Sequence, residues 1–321
     1  TFTATAVNYT VTYTDGVDGE EVFPDQVTSD IKYGAETPAF DGTPSREGYS
    51  FAGWDPTVAE KVTGDATYTA TWTADEDTAY TVEYYFENLE DDGFTIDDSQ
   101  TVNGSGTTGD KVEAEQKEFA GFTFDAGNED NVTSGTIAGD GSLVLKLYYV
   151  RETYTVTYTD GVDGEEVFEN QVTSDIKYGA ATPEFDGTPE REGYTFTGWE
   201  PEVAATVTGN ATYEAQWEEI TGTLTVTKTF SGLDEGVLPS NFAITVAKDG
   251  ETVKTLELKD AQVNGTTYTW TINDLSLGTY TVSESGYDVE GYAFDEDKST
   301  TSVDATLVEG ETVAATAELK N

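Results

Sequence analysis

The chain has 321 residues, with 15 Lys and Arg against 63 Asp and Glu, a formal net charge of −48 at pH 7, and no Cys, His or Met. That charge excludes nucleic acid as a natural partner and works against binding to an anionic membrane surface. Without Cys or His there is no disulfide, no thiolate or imidazole metal site, and no Ser–His–Asp or thiol chemistry, so a non-enzymatic chain without metal or cofactor is expected.

Nineteen Tyr, 15 Phe and 5 Trp supply material for several cores, and the length suits two to four domains. No run of apolar residues is long enough to span a membrane, so no insertion is expected. The absence of an initiating Met and of a secretory leader predicts a segment of a longer protein. Residues 1–6, TFTATA, align with Thr67–Trp72, TYTATW, which closes the domain that follows. Residues 1–8 are therefore expected to be the closing strand of a preceding repeat, or a linker.

The segment YTVTYTDGVDGEEVF at residues 9–23 recurs letter for letter at 154–168, and the match runs without a gap to Trp72 and Trp217. Of those 64 aligned positions 50 are identical, so residues 9–73 and 154–218 are two copies of one domain. Alternation places Tyr9, Val11 and Tyr13 on one face of a strand and Thr10, Thr12 and Thr14 on the other. Asp15-Gly16 and Asp18-Gly19 are turn signals, after which EEVF is expected to start a return strand. GYSFAGW (48–54) and GYTFTGW (193–199) follow a Pro-containing loop. ATYTATW (66–72) and ATYEAQW (211–217) close the two copies. Trp54 and Trp199 read as core anchors, with carbohydrate stacking as the alternative.

The order YTVTY, GTPSREGYSFAGWDP, VTGDATYTATW resembles the Listeria–Bacteroides repeat, also called the internalin B-repeat. The resemblance implies a small β-grasp-like fold that occurs in tandem on surface proteins.

Residues 79–150 differ. YTVEYYFENLEDDGF opens with a strand, KVEAEQKEFAGFTFD follows, and SLVLKLYYV closes, which predicts another small β-rich domain with one short helix. This segment is similar to the mucin-binding-protein (MucBP) type of module, also β-grasp-like and often a spacer. The acidic loops DGVDGEE and LEDDGFTIDD (89–98) lack the ligand spacing of an EF-hand and read as solvated turns. Sequons at Asn8, Asn131 and Asn210 matter only in a host that glycosylates.

Residues 222–321 share no repeat with the rest. Strands at LTVTKTF, FAITVAK, TYTWTI, GTYTVSES and VAATAELKN predict a β-sandwich. In LTVTKTF, Lys228 shares a face with Leu224, Val226 and Phe230. In GTYTVSES, Glu284 shares one with Tyr280 and Val282. In the last strand, Asn321 shares one with Val313, Ala315, Ala317 and Leu319. Three polar residues thus occupy apolar registers. Burial drives a lysine toward its nucleophilic neutral amine and holds a glutamic acid protonated. Together with an asparagine they can form a Lys–Asn isopeptide bond.

Residues 222–321 also resemble the collagen-adhesin B-type (CnaB) domain of Gram-positive surface proteins and pilins, through LTVTK at 224–228, YTVSE at 280–284 and Asn321. The resemblance implies Lys228 as reactive lysine, Glu284 as the acid that promotes the reaction, and Asn321 as acceptor. Asn321 departs from the family pattern in standing at the end of its strand, so fraying is expected to bear on it.

The expected fold class is all-β to α+β, with three small β-grasp-like domains in tandem before an Ig-like or prealbumin-like β-sandwich. Short linkers (TADEDTA, RET, EEI) predict a monomeric, extended rod whose partners are neighbouring domains of the same long chain. No L-P-x-T-G signal is present, since LPSNF at 238–242 is not one, and any anchor is expected beyond Asn321. The expected function is a structural stalk segment of a secreted, cell-wall-associated adhesin of a Gram-positive bacterium. The alternative is a ligand-binding adhesin module recognising a host glycan or matrix protein.

Overall fold

The structure is a computed structural model that describes residues 3–310 and 313–321. It is all-β, and a single 3-10 turn at Leu258–Asp260 is the only helical element among the described residues. Thr1 and Phe2 of the expected leading strand lie outside the described residues, and residues 3–7 form no strand. Chain contacts define two compact units. One is Thr1–Tyr154 with Asp175–Ala181 and Thr206–Gly209, and the other holds Thr155–Ser174, Thr182–Ala205 and Asn210–Asn321.

In the first repeat, β1 (Asn8–Thr14), β2 (Gln26–Lys32), β3 (Tyr49–Asp55) and β4 (Ala66–Ala74) form one sheet in the order β2-β1-β4-β3. The central pair β1–β4 is parallel and both flanking pairs are antiparallel. Val11 and Tyr13 point into the core with Val62 and Tyr68, and Tyr9 packs at its edge, as the alternation requires. Trp54 is a core anchor: its ring lies 4.7 Å from Tyr13, 5.1 Å from Phe40 and 5.2 Å from Phe51.

EEVF is not a strand. Both carboxylate oxygens of Asp15 are taken by backbone amides, Val17 N–H at 3.0 Å and Val22 N–H at 2.7 Å. These bonds close residues 15–22 into a loop, and the return strand begins only at Gln26. Trp72 Nε1–H donates to the Asp15 carbonyl at 2.8 Å and fastens the loop to β4.

The next segment holds β5 (Thr78–Glu87), β6 (Phe94–Ile96), β7 (Val102–Gly106), β8 (Lys111–Glu113), β9 (Phe122–Phe124), β10 (Ser134–Thr136) and β11 (Val144–Arg151). β5 and β11 form a parallel centre flanked by β6, β7 and β9, while β8 and β10 pair separately. Val82, Tyr84, Leu145, Leu147 and Tyr149 are its buried core. The expected short helix is absent. KVEAEQKEF supplies only a three-residue strand and a loop, and Phe119 is spent against the rings of Tyr84, Phe86 and Tyr149.

The second repeat comprises β12 (Thr153–Thr159), β13 (Gln171–Lys177), β14 (Tyr194–Glu200) and β15 (Ala211–Glu219), in the order β13-β12-β15-β14. It reproduces the first in detail, including the Asp160 loop bonds to Val162 and Val167 and the Trp217 bond to the Asp160 carbonyl at 2.7 Å.

The last domain contains β16 (Thr221–Thr229), β17 (Ala243–Lys248), β18 (Glu251–Glu257), β19 (Gln262–Asn264), β20 (Thr267–Ser276), β21 (Gly278–Ser285), β22 (Ser302–Leu307) and β23 (Ala314–Lys320). They build two four-stranded sheets, β19-β20-β16-β23 and β18-β17-β21-β22. One continuous core joins them, with Leu224, Val226, Trp270, Ala317 and Leu319 from the first sheet and Ile244, Val246, Tyr280 and Val282 from the second. This is a β-sandwich.

Candidate functional site

The first and last strands of the sandwich, β16 and β23, run parallel and adjacent, with Val226 opposite Ala317 and Lys228 opposite Leu319. Alternation turns Leu224, Val226 and Lys228 inward on β16 and Ala317 and Leu319 inward on β23, and the same period aims Asn321 to that side. Lys228 is fully buried. On the facing sheet, β21 turns Tyr280, Val282 and Glu284 inward.

The two sheets therefore deliver Lys228 and Glu284 to one point in the core. Lys228 Nζ lies 2.6 Å from Glu284 Oε2, and both side chains are entirely shielded from water. The contact is close but off hydrogen-bond geometry: Lys228 Nζ, both Glu284 oxygens and Asn321 Oδ1 are all buried without a hydrogen-bond partner. The rings of Phe230 and Phe242 sit 5.2 Å and 5.7 Å from the amine. Burial pushes the Lys228 amine below the ordinary lysine range, and the neighbouring Glu284 only partly opposes this.

The acceptor is fixed at its backbone. Asn321 N–H donates to the Thr229 carbonyl at 3.1 Å, and the Asn321 carbonyl accepts from Ser231 N–H at 2.8 Å and from Ser231 Oγ–H at 2.7 Å. Lys320, one residue earlier, exchanges backbone bonds with Thr300. The end of β23 is thus tied on both sides, against the expectation of fraying.

Of the three residues singled out from the face pattern, Lys228 and Glu284 meet in the core, and Asn321 is bonded through its backbone to Thr229, the neighbour of Lys228. The sequence reading missed Phe242 and Ser231. Phe242 precedes β17, and its register with Ile244 and Val246 in the FAITVAK stretch signals an inward residue. Ser231 follows Phe230 in a TFSG stretch that reads as the start of a turn. Gly232, with φ of +79°, does turn the chain there.

The other candidate sites are taken up by structure. Trp54 and Trp199 pack within aromatic clusters. In the DGVDGEE loops Asp15 and Asp160 serve their own backbone, and Glu20 and Glu165 pair with Arg46 and Arg191. Among the described residues no cluster of three or more acidic side chains is arranged to hold a metal, and no helix is long and apolar enough to cross a membrane.

No curated protein matches this chain. Among solved structures, the TIE protein of Bacillus anthracis is 16% identical over 79% of this chain and 51% of its own, with a TM-score of 0.35. This chain thus spans about half the length of that structure. BcpA, the major pilin subunit of Bacillus cereus, is 12% identical over 76% of this chain and 99% of its own, with a TM-score of 0.28. Two B repeat units of the Staphylococcus aureus collagen binding protein are 13% identical over 98% of this chain and 100% of their own, with a TM-score of 0.16. Residues 9–79 and 154–226, the segments that hold the duplicated four-stranded sheets, both match the family model of the Listeria-Bacteroides repeat domain.

Proposed function

We propose that this chain is a structural stalk segment of a secreted, cell-wall-associated adhesin of a Gram-positive bacterium, and that its last domain closes itself with a Lys228–Asn321 isopeptide bond. The tandem repeats, with their 2-1-4-3 sheets about a parallel pair, are β-grasp-like spacers in this reading, and their partners are neighbouring domains of the same long chain. The observation that carries it is the water-free meeting of Lys228 and Glu284, with the Asn321 amide oxygen buried and unpartnered. Taking such groups out of water costs several kcal/mol, and condensation of the amine with the carboxamide removes part of that cost.

The step balances without a cofactor. The neutral Lys228 amine attacks Asn321 Cγ, while the Glu284 carboxyl group polarises the carboxamide oxygen. A bond forms between Nζ and Cγ, the Cγ–Nδ2 bond breaks, and a proton from the attacking amine passes through Glu284 to the leaving nitrogen, which departs as ammonia. The linked residues belong to the first and last strands of the domain, so tension applied to its two ends runs through covalent bonds.

Intact mass of the denatured chain tests this directly. The expected mass is lower than the sequence mass by one ammonia, with no deficit in Lys228→Ala or Asn321→Ala and a slow or absent loss in Glu284→Ala. A wild-type mass equal to the sequence mass overturns the reading.

A further inference from the structure

We infer that Ser231 is a positioning residue for the cross-link: its hydroxyl holds the Asn321 backbone so that the carboxamide faces Lys228. This role rests on the isopeptide reading. The paired register of β16 and β23 ends at Thr229 opposite Lys320, one residue short of the acceptor. A residue just past a strand terminus frays readily, and an acceptor displaced by an ångström loses much of the advantage of an intramolecular reaction.

Asn321 has one bond from its own amide, to Thr229, and two at its carbonyl, both from Ser231. The Ser231 hydroxyl is the only side-chain group among these contacts. Its oxygen touches neither Lys228 nor Glu284 in hydrogen-bond terms, so it acts through the acceptor's backbone and takes no part in proton transfer. Phe230, between Lys228 and Ser231, points inward beside the amine and fixes the turn that brings Ser231 to Asn321. One short stretch, Lys228 to Ser231, therefore supplies the nucleophile, one wall of its dry pocket and the clamp on its target.

The test follows ammonia loss in time. The full chain is made by cell-free synthesis and its intact mass is sampled after synthesis is stopped. Ser231→Ala is expected to slow the loss roughly fivefold, the rate equivalent of one modest hydrogen bond. Ser231→Thr, which keeps the hydroxyl, is expected to restore the wild-type rate. A control separates positioning from plain stability: in Lys228→Met, where no bond forms, adding Ser231→Ala is expected to leave the unfolding midpoint of the last domain unchanged. A wild-type rate in Ser231→Ala overturns the inference while leaving the isopeptide intact. So does a midpoint loss in the Lys228→Met background large enough to account for the slower reaction. If wild type itself never loses ammonia, the isopeptide reading fails and the role of Ser231 falls with it.

Discussion

The repeats and the last domain bury polar atoms in opposite ways. In the first repeat the large buried side chains are aromatic and their polar tips are served: Tyr13 O–H donates to the Pro38 carbonyl at 2.7 Å, and Tyr68 Oη accepts from Ala59 N–H at 3.1 Å. What lacks a partner there is one threonine hydroxyl, Thr37, mirrored by Thr182 in the second copy. The last domain instead buries an amine against a carboxyl group, 2.6 Å apart, and leaves the Asn321 amide oxygen buried without a hydrogen-bond partner. A core that only has to be stable does not need such groups. Under the proposed function this difference is the one between a spacer and a domain built to react.

The largest expected effect breaks that comparison on one side. Under the proposed cross-link, Asn321→Ala removes the tie between β16 and β23 and is expected to cost the last domain about 4–5 kcal/mol, by analogy with a disulfide closing a loop of this size. The repeats should not respond. Lys228→Met removes the same bond but replaces a stranded buried amine with an apolar chain, so it should cost less than Asn321→Ala. Calorimetry that resolves the transitions checks both. Equal midpoints in wild type and both variants would contradict the cross-link.

On the other side, Trp54→Ala empties the aromatic cluster of the first repeat and should cost that copy about 3 kcal/mol. The second repeat, with its own Trp199, and the mass deficit of the last domain should be unaffected. A loss of the deficit in Trp54→Ala would mean that the domains do not act independently.

Much of this contrast was legible in the residues. Lys228, Glu284 and Asn321 each break an alternating apolar run, and strand alternation holds wherever one face is buried, so their inward direction could be read directly. The duplicated domain announced itself by identity. β18 could not be read, because its residues are exposed except for Leu256 and carry no apolar period. The EEVF segment misled because its local signals are those of a hairpin, whereas the deciding bonds run from the Asp15 carboxylate to amides two and seven residues on. Nor could the closeness of the Lys228 and Asn321 backbones be read from spacing. It depends on β23 joining the sheet beside β16, a contact between the two ends of the domain.

Alkaline titration sharpens the comparison further. In Asn321→Ala, Lys228 remains a free buried amine whose native pKa lies below 10.5. Between that lowered value and 10.5 the unfolded chain binds one more proton than the folded chain, so stability must rise with pH, by up to about 1.4 kcal/mol per unit. If the proposed cross-link forms, the wild-type nitrogen belongs to an amide and does not titrate, so this rise should vanish. The midpoint of the last domain followed between pH 7 and pH 10.5 distinguishes the two. A rise of the same slope in both chains would mean that the wild-type lysine is free.

The smallest effect belongs to the repeats and has the acid side of the scale. The amide of Val17 leads in holding the Asp15 carboxyl below its ordinary 3.8, with Val22, Phe23 and the Arg46 charge adding to it against the opposing cost of burial. In the second copy burial is the largest single influence on Asp160 and opposes ionisation. The amides of Val162, Val167 and Phe168 and the Arg191 charge together outweigh it, and its carboxyl is also lowered. A carboxyl lowered on folding contributes stability that is fully present above 3.8 and is lost as pH falls through the native value, because the unfolded chain protonates first. Asp15→Asn keeps one acceptor oxygen but removes the charge, and should cost the first repeat about 1 kcal/mol at neutral pH. It should also flatten that repeat's stability below pH 4 while leaving the last domain's acid response as it was. An acid transition of unchanged steepness in Asp15→Asn would show that the loop carboxylates are not what ties the repeats to neutral pH.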